Sequence, residues 1–297
     1  MMNMADFVVT CCSTADLPKE YFEERDVPLA YFKFTMDGKT YVDDLGDSMS
    51  FDTFYERIAG GAMPVTTQVN VAEYTALFEP FLSDGKDVLH LTLTSGISGS
   101  YGSAKIAQAD LQAKYPERKL IVIDSHAASS GYGLLMDKVL DMRDEGLDIQ
   151  TIADWVEANK LHLHHWFFVS DLKHLRRGGR VSGASALVGT LLNICPIMDV
   201  DFEGKLHPRT KARGKKNAIE EVTKTAVERA QGGKNYDGKV YICHSACLDD
   251  AKALEVSIRT AMPKVSEVKI NSIGTVVGSH TGIGTVSVFF WGDKRFN

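Results

Sequence analysis

Three short loops of this chain set hydroxyl side chains beside glycine or proline, each close to an apolar, strand-like run. They are Pro64-Val65-Thr66-Thr67-Gln68, Thr94-Ser95-Gly96-Ile97-Ser98-Gly99-Ser100 and Gly278-Ser279-His280-Thr281-Gly282-Ile283-Gly284. Hydroxyls and bare backbone N–H groups are the usual equipment for holding a small anion, a carboxylate or a phosphate. In the second loop an anion would meet the Ser98 hydroxyl and the N–H groups around Gly99 and Ser100. The competing reading is a tight turn whose serines only cap the following helix. Thr66 is open to either role, while capping alone suits Thr67. His280, between glycines that permit close backbone approach, either donates to a bound anion or is satisfied by local backbone.

A nucleophile is harder to support. Gly96-Ile97-Ser98-Gly99-Ser100 approaches G-x-S-x-G, but Ser100 stands where the last glycine should be, so the elbow frame fails. A serine hydrolase built on Ser98 and His280 stays as the alternative, since spacing cannot show whether an acid and a histidine are in reach. A small-molecule kinase subunit is a third reading. No G-x-x-x-x-G-K-[ST] segment occurs in support of it.

The elements that must position these loops alternate between β-rich and helical patterns. Phe7-Val8-Val9, Val88 to Leu93 and Leu120 to Ile123 are continuous apolar runs, which predicts buried strands of a parallel sheet. Helical spacing fills Ala72 to Phe81 after Asn70, then Ser103 to Tyr115, Ala127 to Arg143 and Asp148 to Lys160. This order predicts a doubly wound α/β domain whose ligand crevice lies beyond the strands' carboxyl ends. Thr94–Ser100 and Cys12–Asp16 both occupy that position.

From Trp166 onward the pattern changes, and a second domain is expected. Its elements are a strand at Trp166–Val169, a helix from Ser185 to Asn193 and a hairpin pairing Pro196–Val200 with Lys205–Pro208. Helices from Lys216 to Ala230 and Asp249 to Ala261 alternate with strands Lys239–Cys243, Glu267–Ile270 and Val286–Trp291. Gly274-Thr275-Val276-Val277 reads as a further β-rich run. Hairpin plus βα units predicts a mixed sheet. The expected division is 1–155, a doubly wound parallel-sheet domain, and 156–297, a mixed-sheet α/β domain.

Composition narrows the function classes. The chain has 297 residues, 44% of them hydrophobic, and a formal charge of −6. That is long enough for two cores and gives no general attraction to nucleic acid or anionic lipid. No apolar run approaches the roughly 20 residues of a membrane span, and no basic leader precedes Phe7, so a cytoplasmic protein is expected. Five cysteines, an odd number, argue against a disulfide framework. Cys243-His244-Ser245-Ala246-Cys247 lacks a second ligand pair for zinc, so small buried side chains are expected there. His162, His164 and His165 have no acidic companion and read as surface residues. Two basic segments, Lys173 to Arg180 and Lys211 to Lys216, stand out from the acidic background. They read as a solvated face or as a dock for an acidic or phosphorylated partner.

Together the motifs resemble the DegV family, bacterial fatty-acid-binding proteins that present acyl chains to a fatty-acid kinase. Cys12-Ser13-Thr14-Ala15-Asp16-Leu17-Pro18 is similar to the family's D-S-T-x-D-L-P, Thr66-Thr67-Gln68 to T-S-Q, and Ser98-Gly99-Ser100-Tyr101 to S-G-T-Y. Asp124-Ser125 with Ser129-Ser130-Gly131 also matches, as do Leu175 to Val181, Leu191-Leu192-Asn193-Ile194, Arg213 to Lys216 and Gly278 to Gly282. The match is collinear over nearly the whole chain. Cys12 departs from the family aspartate and removes a charge, whereas Thr67 and Ser100 keep hydroxyls. The resemblance implies that Thr66, Ser98, Gly99 and His280 meet at a fatty-acid carboxylate, with the tail in an apolar tunnel between the domains. It implies Arg180 and Arg213 as contacts for the kinase or the acyl phosphate. It also implies a carrier with no catalytic residue, metal or cofactor of its own, at most transient membrane contact, and no nucleic-acid partner.

Overall fold

The computed structural model describes residues 7–170, 172–181 and 193–296. Apart from Asn193, the helix expected at Ser185–Asn193 lies outside the described residues, as do Leu191 and Leu192.

The first sheet is parallel, in the order β2-β1-β6-β7, from β1 (Phe7–Cys12), β2 (Leu29–Ala30), β6 (Asp87–Thr92) and β7 (Leu120–Asp124). Nearly every residue of β1 and β6 is buried, as the continuous apolar runs require of strands covered on both faces. Around them pack α3 (Val71–Ser83), α4 (Ser100–Lys114), α5 (Ser129–Asp144) and α6 (Ile149–Asn159). Asn70 and Glu73 form a reciprocal capping box at the start of α3. That box assigns the cap to Asn70. Thr67, expected to cap, instead pairs with Lys33 in a strand.

The second sheet is mixed, in the order β10-β9-β8-β13-β11-β12. It comprises β8 (Leu163–Phe168), β9 (Ile194–Val200), β10 (Leu206–Arg213), β11 (Lys239–His244), β12 (Glu267–Ser272) and β13 (Val286–Trp291). Only β11 and β12 run parallel; the other pairs are antiparallel. Helices α8 (Lys215–Arg229) and α9 (Leu248–Ala261) cover one face. The other face receives α5, which packs on β8, β11 and β13 and buries most of its length. The α/β class, with one parallel and one mixed sheet, is as the sequence predicts.

Two expectations are corrected here. The histidines of β8 are not on the surface: His164 is 2% and His165 1% exposed. The strand lies between β9 and β13 and is covered on both faces, so alternation cannot deliver either side chain to solvent. His164 stacks on Phe290 and reaches Asp293 at 2.8 Å; burial lowers its pKa. His165 contacts the Leu163 carbonyl through Nδ1 and accepts the Ala128 N–H through Nε2. The second correction concerns Gly274–Val277, whose β-branched residues begin the helix α10 (Thr275–Thr281). Asp43 overrides their propensity by accepting from the Thr275 hydroxyl at 2.6 Å and from the N–H groups of Thr275 and Val276.

A third, smaller sheet was not anticipated. It is antiparallel, ordered β4-β3-β5, from β3 (Lys33–Met36), β4 (Lys39–Val42) and β5 (Val65–Thr67). Asp37 and Gly38, both at positive φ, close the β3–β4 hairpin. Helix α2 (Phe51–Ala59) packs Phe54, Tyr55 and Ile58 with Phe34 and Met36 into a separate cluster. Its Tyr55 donates to the Ile273 carbonyl at 2.8 Å, tying this unit to the start of α10.

Candidate functional site

The three hydroxyl-bearing segments sit on three supports. Thr66 lies in β5, opposite Phe34 of β3. Ser98 lies in the turn between β6 and α4, with Gly99 as the helix N-cap. His280 lies in the last turn of α10; of the three expected loops only the second is a turn, as far as Gly99, and its Ser100 opens α4.

The fold brings Thr66 and His280 into contact, with Thr66 Oγ1 2.8 Å from His280 Nε2. Both line a cavity of about 350 Å³, together with Ser98, Gln68 and Arg180. Around this polar group much of the wall is apolar: Phe32, Leu93 and Ile97 from the first half, and Phe167, Leu175, Val200, Leu206, Val276 and Val277 from the second. A mostly apolar chamber of this size with a few convergent polar groups is the usual form of a small-molecule site.

Helix α7 (Lys173–Gly178) and the residues after it hold the mouth together. Arg177 donates to the Pro64 carbonyl at 3.2 Å and to the Ser279 carbonyl at 3.3 Å, joining the lead-in to β5 to the end of α10. Arg180 Nε donates to the Ile97 carbonyl at 3.2 Å and so braces the Ser98 turn. The two adjacent glycines have different reasons. A Cβ on Gly178 would stand 2.2 Å from His280 Nδ1, so the bare α-carbon is what lets the imidazole lie against α7. Gly179 ends the helix at φ +67° with open space around it.

His280 is neutral at pH 7. Burial, with the nearby Arg180 and Arg177 guanidinium groups adding to it, lowers its pKa to about 4. Nδ1 is buried with no hydrogen-bond partner among the described residues. An orphaned N–H is rarer than an orphaned acceptor, so we assign the proton to Nε2, which then donates to Thr66 Oγ1. The Thr66 hydroxyl proton is left free for a ligand acceptor. Ser98 does cap: its hydroxyl accepts the Ser100 N–H at 3.2 Å, which leaves its own O–H available as well. The Ser98 hydroxyl stands at the first turn of α4, where the helix end favours negative charge.

Gly99 is exposed and lines a shallow groove that adjoins the cavity and shares Ser98, Ile97 and Arg180 with it. Arg213 is not brought to the site. It ends β10, seven residues beyond Leu206 and about 23 Å along the strand, and is exposed. His280 does not engage Ser98 in the way a general base would; its Nε2 is taken by Thr66, and no carboxylate among the described residues bonds its Nδ1. Among the described residues no group of three or more His, Cys, Asp or Glu side chains could hold a metal.

Two contributors escaped the sequence reading. Arg177 counted only as one of a basic run, with nothing local to mark its carbonyl partners. Asp43, the anchor of α10, sits in the stretch before α2 where the sequence analysis placed no element.

Known proteins share this fold. A family model described as "Uncharacterised protein, DegV family" matches residues 7–293. The DegV domain-containing protein CPE0026 of Clostridium perfringens is 37% identical over 292 residues, covering 98% of this chain and 99% of the relative. YteA of Lactococcus lactis, another DegV domain-containing protein, is 33% identical over 95% of this chain and 96% of its own. Among solved structures, the fatty acid binding DegV family protein SAG1342 from Streptococcus agalactiae superimposes with a TM-score of 0.84 at 28% identity, covering 98% and 100% of the two chains. A DegV family protein from Thermus thermophilus, described by its fatty acid binding, gives 0.85 at 27% identity over 97% and 99%. No helix among the described residues is long and apolar enough to cross a membrane.

Proposed function

This chain belongs to the DegV family, and from that premise we propose that it binds a long-chain fatty acid and presents it to a fatty-acid kinase for acyl-phosphate formation. The carboxylate meets the hydroxyls of Thr66 and Ser98, the backbone at Gly99 and the His280 that orients Thr66. The tail enters the cavity between the parallel-sheet domain (1–155) and the mixed-sheet domain (156–297). The supporting observation is the pairing of one polar corner, containing a neutral imidazole and two unused hydroxyl protons, with an otherwise mostly apolar chamber. Each CH₂ moved from water into such a chamber contributes about 0.8 kcal/mol, so the tail supplies most of the affinity and the polar corner fixes the orientation.

On this reading the protein is a carrier without a catalytic group or cofactor of its own, working in a bacterial cytoplasm. Arg180, at the mouth, stabilises the carboxylate and later the acyl phosphate. Arg213, exposed at the far end of β10, serves the kinase interface instead. Mass spectrometry of the denatured, purified protein tests the proposal. A fatty acid released at near one per chain is expected. Protein that is consistently empty and binds no added acyl chain would overturn it.

A further inference from the structure

The inner end of the cavity is not hydrocarbon. Helix α10 runs along the wall, with its Val276, Val277 and His280, and Ile273 just before it, lining the chamber. His280 lies six positions beyond Gly274, the N-cap, which is about 9 Å along a helix. The first turn of α5 stands at the Gly274 end. There Ser129 donates to Asp16, whose carboxylate also accepts the Gly274 N–H.

Ser129 and Ser287 both line the cavity at this end, and each keeps 6% exposure. Ser287 is the cross-strand partner of Cys243 and donates to its thiol, while Ser129 Oγ lies 3.3 Å from the same sulfur. A hydroxyl carries two acceptor lone pairs besides its proton, and a thiol is a poor donor. The two serine oxygens therefore retain acceptor capacity towards the chamber. His165 beside them does not, since both ring nitrogens are engaged. A plain alkyl chain would cover these oxygens without bonding them. An acyl chain with its own hydroxyl at this depth would donate to one, and would avoid leaving that hydroxyl unpaired.

We infer that the cavity selects fatty acids bearing a hydroxyl group near mid-chain, read by the oxygen of Ser287. The inference rests on the fatty-acid reading of the same cavity. Its test is competition binding of octadecanoic acid and of mid-chain hydroxyoctadecanoic acids to the wild-type chain and to Ser287→Ala. The wild type is expected to favour a hydroxylated chain about five- to tenfold, the size of one net hydrogen bond, with the ratio collapsing in the variant. Equal or weaker binding of every hydroxylated chain by the wild type overturns the inference, as does a preference that Ser287→Ala leaves intact. Failure of the fatty-acid reading looks different: neither kind of acid would bind the wild type.

Discussion

Replacing Gly178 by alanine tests whether the packing of His280 on α7 creates the polar corner. The new methyl would stand 2.2 Å from His280 Nδ1, 1.2 Å inside the 3.4 Å at which ordinary contact begins, and 3.1 and 3.3 Å from two further ring atoms. Gly178 is the last residue of α7, which Arg177 bonds to two other segments, so the backbone is poorly placed to retreat. The ring must swing instead, and the 2.8 Å contact with Thr66 breaks. Overpacking of this kind costs about 1–3 kcal/mol of stability. Losing one oriented donor to a carboxylate costs about 1.5–3 kcal/mol of binding, or about ten- to a hundredfold in affinity. Displacement of a fluorescent fatty acid measures the affinity, and urea unfolding the stability. Gly179→Ala is the control: it strains a left-handed residue by about 1–2 kcal/mol but meets no atom within 4 Å. Should Gly178→Ala bind as tightly as Gly179→Ala, His280 does not act through Thr66 and the site assignment is refuted.

Two further outcomes follow from the same geometry. His280 titrates near its ordinary 6.5 when unfolded and at about 4 when folded, so between these values the unfolded chain binds the extra proton and stability falls as pH falls. In the ligand-free protein His280→Gln should reduce the slope of unfolding free energy against pH, near pH 5, by about 1.4 kcal/mol per unit; an unchanged slope in urea titrations would count against a buried neutral imidazole. Asp43→Ala removes the acceptor for Ser13, Thr275 and the first N–H groups of α10, which should cost about 3 kcal/mol and weaken fatty-acid binding along with it. Stability lost without any change in affinity would show that α10 keeps its place without this anchor.

What the sequence disclosed depended on how local the deciding force was. The strands at Phe7–Cys12 and Asp87–Thr92 and the capping box at Asn70 are decided within a few residues, and they were legible. The Asp37-Gly38 hairpin was equally local and could have been read from its dipeptide. α10 was not, because its β-branched composition argues for a strand and the group that overrides it, Asp43, lies 232 residues away. His164 and His165 were misplaced for a related reason, since their burial follows from the strands on either side of β8. Thr66, Ser98 and His280 were singled out by type and by neighbouring glycine or proline. That Arg177 draws two of their segments together needed the folded chain.

The Thr66–His280 contact joins residues 214 positions apart, so it has a consequence for when the protein can work. The contact exists only when β5 and the end of α10 have both been placed by the fold. A chain in which these two segments have not yet met has no polar corner, and on the proposed reading could not orient a carboxylate. Once loaded, a ligand held by both halves favours the complete fold by mass action, about 2.7 kcal/mol at a hundredfold excess over its Kd. On the proposed reading, ligand supply would then set the protein's cellular lifetime, with empty molecules opening more often and reaching proteases first.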